Sequence, residues 1–191
     1  MPATPLLFIC GSRKPGPGKQ GPSAARELLR AVALGAEAAG RAHDWLDLRE
    51  LDLPFFDGRP AADYGSADLD RVSATVAASE VLVLSVPAYW GAPAGCVKNL
   101  LDLIGGPAYD APPEEPPPLK GKVAALLVVG ADDISAAGAL GCLRLTLASM
   151  GAWTAPQAVV VPNPRQLRDV GKLMASLKDF GAYAASLRAP Q

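Results

Sequence analysis

The run VLVLSV, Val81 to Val86, is apolar at every position but Ser85 and shows no alternation. A strand with one face in water alternates apolar and polar residues, so an unbroken run fits a strand covered on both faces, as in a parallel sheet with helices on each side. Leu6–Cys10, His43–Leu48, Val123–Val129 and Ala158–Val161 read as four further strands. Between and after them, apolar residues recur at helical spacing. The sets are Leu28, Leu29, Val32 and Ala36; Leu69, Val72 and Val76; Val97, Leu100, Leu101 and Ile104; Leu140, Leu143, Leu147 and Met150; and Leu167, Val170, Met174 and Leu177. Five strands alternating with five helices predict one α/β domain over 1–191, a five-stranded parallel sheet with helices on both faces, because right-handed crossovers place helices on either side.

Composition narrows the work such a sheet can do. With 191 residues, half of them hydrophobic, the chain can build its core without disulfides or a structural metal. A net charge of -1 lacks the basicity of a nucleic-acid binder and the acidity of a small electron carrier that docks on basic partners, so a small-molecule role is expected. Cys10, Cys96 and Cys142 stand singly in apolar surroundings and read as buried packing residues, not metal ligands. The start MPATPLLFIC has no basic leader, and no apolar stretch reaches bilayer length, so a cytoplasmic location without membrane attachment is expected. The single histidine, His43, falls in a predicted strand and reads as structural or surface. Ser-His-Asp and Cys-His schemes therefore have no support.

Ligands of open parallel sheets bind beyond the carboxyl ends of the strands, where strand order reverses. Three loops leave such ends: GSRKPGPGKQGPS after the first strand, PAYWGAP after the third and GADDISAAG after the fourth. The first feeds a helix whose free N–H groups favour an anion, with Ser12, Arg13 and Ser23 adding two hydroxyls and a guanidinium, which suits a phosphate monoester. It is neither a Walker A loop, since Gln20 follows Lys19, nor a GxGxxG fingerprint. The alternative is a surface loop in which Ser23 only caps the helix. In the second loop Tyr89 and Trp90 offer flat aromatic surface beside the backbone of Gly91, suited to a planar heteroaromatic ring with amide-like edges. Its alternative is a pair of core aromatics. Ser66, Asp132 and Asp133 read as helix-capping groups.

The segments GSRK...PS, SVPAYWGAPAGCVKNLLDLI and GKVAALLVVGADDISAAG resemble the NADPH-dependent FMN reductase family, over Leu6 to about Pro162. The resemblance implies a flavodoxin-like three-layer sandwich with strand order 2-1-3-4-5, FMN as cofactor and NADPH or NADH as reductant. It also implies that Ser12, Arg13 and Ser23 take the FMN phosphate, that Pro87, Ala88, Tyr89, Trp90 and Gly91 border the flavin ring, and that Gly130 and Ala131 begin the loop closing its pyrimidine side. Lys98, Asn99 and Asp102 match a helix of the family in a structural capacity. The segment from Arg13 to Ser23, with Pro15, Pro17 and Pro22, is longer than in the family pattern. Ala88 stands where relatives often carry a glutamate tied to assembly contacts; a homodimer is expected, with a second subunit roofing the exposed flavin edge.

Hydride transfer from a nicotinamide to a flavin needs no protein acid or base, which agrees with a ligand turn empty of histidine, carboxylate and cysteine pairs. The expected reaction ends on a small-molecule electron acceptor: a quinone, an azo compound or free flavin for a monooxygenase. The rival readings are a flavodoxin-type electron carrier and a non-enzymatic flavin-binding or interaction domain.

Overall fold

A computed structural model describes residues 5–14, 23–110, 112, 114, 116–164 and 169–189. Its parallel strands are β1 (Leu6–Cys10), β2 (His43–Asp47), β3 (Val81–Tyr89), β5 (Val123–Gly130) and β6 (Trp153–Pro162), and a two-residue strand β4 (Ala92–Pro93) folds back antiparallel on β3. The parallel strands lie in the order β2-β1-β3-β5-β6, the order expected once β4 is set aside. The chain therefore reverses direction across the sheet between β1 and β3, and a crevice opens beyond their carboxyl ends.

Helices α1 (Ala24–Ala38) and α5 (Val170–Ser186) cover one face, and α2 (Ala67–Ala78), α3 (Gly95–Gly105) and α4 (Asp133–Ser149) cover the other. The unbroken apolar run explains itself. Val81 and Val83 of β3 pack towards Leu29, Val32, Leu177 and Phe180, whereas Leu82, Leu84 and Val86 pack towards Val97, Leu100, Leu143 and Leu147. Successive residues of the central strand thus enter two different cores.

Two predicted boundaries move. The third strand runs to Tyr89 and includes Pro87, which a central strand normally excludes because proline donates no ladder hydrogen bond. Register with β1 ends at Cys10 opposite Ser85, so Pro87 lies past the neighbour on that side and pairs only with Val129 of β5. The fifth parallel strand starts at Trp153 rather than Ala158, and a register shift between Ala124 and Leu126 separates its first pairs, at Trp153 and Thr154, from those that begin at Ala158. Leu167, expected in the last helix, and the prolines of the first loop at 15, 17 and 22 lie outside the described residues.

The helix ends follow the capping rules. Ser23 and Ser66 accept from the N–H groups of Arg26 and Leu69, and Asp132 accepts from Ser135 at 2.7 Å. Cys10 is buried as expected, but Cys96 and Cys142 are only half-buried, each on a helix flank instead of its core face. His43 meets the edge of Phe8 and lies 3.6 Å from Glu37, a structural surface position. Asn99 ties the long loop after β2 to α3: its Oδ1 accepts from Phe56 at 2.9 Å and its Nδ2 donates to the Pro54 carbonyl at 2.8 Å.

Candidate functional site

A cleft of about 310 Å³ lies at the switch point, walled by the end of β1, the first turn of α1, the end of β3 and the loops after β5 and β6. Its placement depends on buried polar groups. Arg26, in the first turn of α1, donates from Nε to Asp47 Oδ2 at 2.5 Å and from Nη2 to Asp47 Oδ1 at 2.9 Å. The same Nη2 donates to the Ser12 carbonyl at 2.9 Å. One guanidinium therefore fastens helix α1, strand β2 and the loop after β1 together. Burial works to raise the Asp47 pKa, but the hydrogen bonds from Arg26 and the Arg49 N–H outweigh it and hold the carboxyl below its ordinary value. The Arg26 pKa is raised in turn, chiefly by its hydrogen bond to Asp47.

Strand β3 secures the same turn from beneath. Ser85, fully buried, donates its hydroxyl to the Ala25 carbonyl at 2.8 Å. The start of α1 is thus set against the central strand, with Ser23, Ala24 and Ala25 lining the cleft. The first-turn N–H groups of a helix have no intrahelical acceptor, and the helix dipole adds partial positive charge there. This end of the cleft suits a phosphate group.

Pro87, Ala88 and Tyr89 form the opposite wall. Tyr89 is 46% exposed, and burial of its inner part raises the phenol pKa, so it stays a neutral O–H at physiological pH. Gly130 and Ala131 line the third side, and Asn163 joins them by donating its N–H to the Gly130 carbonyl at 3.0 Å.

Seven of the ten residues singled out from sequence, Ser12, Ser23, Pro87, Ala88, Tyr89, Gly130 and Ala131, meet around this one cleft. Arg13 does not. Its side chain is exposed and donates to the Leu51 carbonyl at 3.4 Å, away from the lining, while the next residue, Lys14, does line the cleft. Trp90 and Gly91 are also absent from the lining. They are the two central residues of the β3–β4 hairpin, both at positive φ (53° and 79°), as a tight two-residue hairpin turn requires. The alternative of core aromatics fails as well, since Trp90 is 100% exposed.

Sequence reasoning missed Lys14, Asn163 and the supports Arg26, Asp47 and Ser85. The PNP that closes the last strand signalled Asn163, because a loop at the carboxyl end of a neighbouring strand must border the same crevice. Nothing in the sequence paired Arg26 with Asp47, which lie 21 residues apart and meet only through the fold.

The NADPH-dependent FMN reductase family model matches residues 4–166. The chain belongs to this family and is an NAD(P)H-dependent flavin oxidoreductase. Its fold is flavodoxin-like. Among solved structures it resembles an apo NADH:FMN oxidoreductase (EMOB) at 18% identity and TM-score 0.70, over 99% of this chain and 92% of that one. It also resembles an azoreductase from Bacillus anthracis str. Sterne, at 18% identity and TM-score 0.70 over 96% and 99% of the two chains. A third neighbour is FerB, a flavoenzyme NAD(P)H:(acceptor) oxidoreductase from Paracoccus denitrificans, at 19% identity and TM-score 0.66 over 95% and 97%. At these identities the structural likenesses speak for the fold alone. No curated protein matches the sequence.

No described helix is long and apolar enough to cross a membrane. Among the described residues no group of three or more His, Cys, Asp or Glu is placed to hold a metal ion.

Proposed function

We propose that the chain is an NAD(P)H-dependent FMN reductase whose cofactor lies in the switch-point cleft, phosphate against the first turn of α1 and ring along Pro87–Tyr89. The observation that carries this reading is that one cleft has a helix N-terminus at one end and a stretch of backbone with a half-exposed aromatic at the other. Ser12, Ser23 and the N–H groups of Ala24 and Ala25 would hold the phosphate, with Lys14 in place of Arg13 as its cation. Gly130, Ala131 and Asn163 would border the far edge of the ring. These donors fit a phosphate monoester joined to a flat ring.

Bound there, FMN would supply the redox chemistry, a hydride acceptor for NADPH or NADH and a two-electron donor for a small-molecule acceptor: a quinone, an azo compound or free flavin for a monooxygenase. The protein's own part is orientation and exclusion of water. Ala88, buried in the cleft wall, would present a small side chain to the ring, and Tyr89 offers a neutral donor at the rim. The enzyme is read as a cytoplasmic pair of identical chains.

Oxidation of NADPH and of NADH by the purified protein, with FMN, FAD, a quinone and an azo dye in turn, tests the reading. FMN-dependent oxidation is expected, and Tyr89→Ala should lower kcat/KM for FMN about tenfold, the loss of roughly 1.4 kcal/mol. No oxidation with any acceptor would overturn it.

A further inference from the structure

The cleft uses only one of the two cations that follow β1. Lys14 lines it, whereas Arg13 turns to the Leu51 carbonyl. The arginines of the first turn of α1 and of the loop after β2 are matched with carboxylates: Arg26 with Asp47, Arg49 with Glu50 and Arg59 with Asp57. Arg13 has no carboxylate within salt-bridge distance among the described residues, and its side chain is exposed. A guanidinium stays charged at every physiological pH, and its planar fork matches the oxygens of a phosphate.

An aromatic stands on the same loop. Four residues beyond Leu51 comes Phe55, whose ring is 88% exposed. The backbone on either side of that ring is held on α3, since the Pro54 carbonyl accepts from Asn99 and the Phe56 N–H donates to it. An anchored loop thus presents a flat ring to solvent, one that serves no core.

Helix α3 also ties this rim to the cleft. Cys96, about one turn before Asn99, donates from Sγ to the Gly11 carbonyl at 3.3 Å. Burial raises the Cys96 pKa, and the Arg13 charge works against that rise. Burial likewise raises the Tyr89 pKa, and Cys96 adds to it. Arg13 and Tyr89 are therefore both within electrostatic reach of one thiol, and Tyr89 belongs to the cleft wall.

We propose that Arg13 and Phe55 receive the adenosine end of the reductant, Arg13 pairing with its 2'-phosphate and Phe55 stacking on the adenine, so that NADPH is used in preference to NADH. The proposal rests on the flavin reading above for the reaction, but its residues lie outside the flavin cleft. Among the reactants, FMN already has its phosphate on α1, and quinones and azo compounds carry none, which leaves the reductant to meet a free guanidinium beside a flat ring. NADPH differs from NADH by that phosphate alone, so one cation can set the preference.

The test has two arms. In steady-state assays with FMN, the wild type is expected to show a KM for NADPH about tenfold below that for NADH. Arg13→Ala should raise the NADPH value about tenfold and leave the NADH value within about twofold; Phe55→Ala should raise both alike, because both reductants carry the adenine. Both side chains are exposed, so neither substitution removes core packing. In calorimetric titration of the protein without flavin, adenosine 2',5'-bisphosphate should bind about tenfold more tightly than adenosine 5'-monophosphate, and Arg13→Ala should abolish the difference. Equal KM values for the two reductants in the wild type, an Arg13→Ala variant that raises both alike, or equal binding of the two nucleotides would overturn the proposal. Absence of FMN-dependent oxidation would overturn the flavin reading instead, and the titration would still decide the adenosine site.

Discussion

Arg26 is the residue on which the site's shape most depends, and it touches no ligand position. Its guanidinium is buried with the Asp47 carboxylate, so removing one partner strands the other in the interior, at a cost of about 3–5 kcal/mol. Arg26→Ala should lose that much in denaturant melts. Replacing both residues, as Arg26→Met with Asp47→Leu, should lose much less. The pair also shapes acid sensitivity. The folded Asp47 pKa lies below its unfolded value near 3.8, so the contribution is complete above about pH 5 and disappears as pH falls through the folded value. The double variant should therefore show a shallower decline in stability between neutral and acid pH than the wild type, and an identical decline would exclude Asp47 as the group responsible. The cation of the phosphate end gives a second residue-scale expectation. Lys14→Ala should weaken FMN binding about tenfold, whereas Arg13→Ala, whose side chain turns to the Leu51 carbonyl, should leave it within about twofold. Fluorescence titration with FMN compares the two; the reverse order would return Arg13 to the site.

Among the elements, α1 and α5 pack so closely that side chains between them are excluded. A Cβ at Gly181 would collide with the Val32 carbonyl oxygen, and one at Gly35 with the Lys178 carbonyl oxygen. Both obstacles are backbone and cannot swing aside, so Gly181→Ala should force the helices apart and cost roughly 1–3 kcal/mol. At this chain length that is a fall of about 2–4 °C in Tm for each kcal/mol. An unchanged Tm would show that the two helices yield more readily than their spacing implies. This packing was hidden in the sequence. Periodicity marked Leu28, Leu29, Val32 and Ala36 as the buried face of α1, and all four are buried, but periodicity carries no information on which helix lies opposite. The long third strand was hidden for a different reason. Pro87 reads locally as a strand breaker, and only the end of register with β1 at Cys10 explains why it is tolerated.

For the whole molecule, the alternation of apolar runs with helical periods made the layering legible, because right-handed crossovers place helices on both faces of such a sheet, whereas the strand order was implied only by the resemblance to the FMN reductase family. The site was legible wherever backbone at strand ends defines it: Ser12, Pro87, Ala88, Gly130 and Ala131 lie where a switch-point crevice must be. It was illegible wherever a side chain chooses its direction. Arg13 and Lys14 are neighbours and nothing local decides between them; Tyr89 and Trp90 are neighbours too, yet the hairpin turns one to the cleft and the other to solvent. All three scales bear on one proposal, that the crevice between the ends of β1 and β3 holds FMN with its phosphate on α1. Difference electron density from crystals grown with FMN tests it directly. The account predicts phosphate density within hydrogen-bond distance of the Ala24 and Ala25 N–H groups and ring density along Pro87–Tyr89; flavin density elsewhere on the molecule, with this crevice empty, would contradict it.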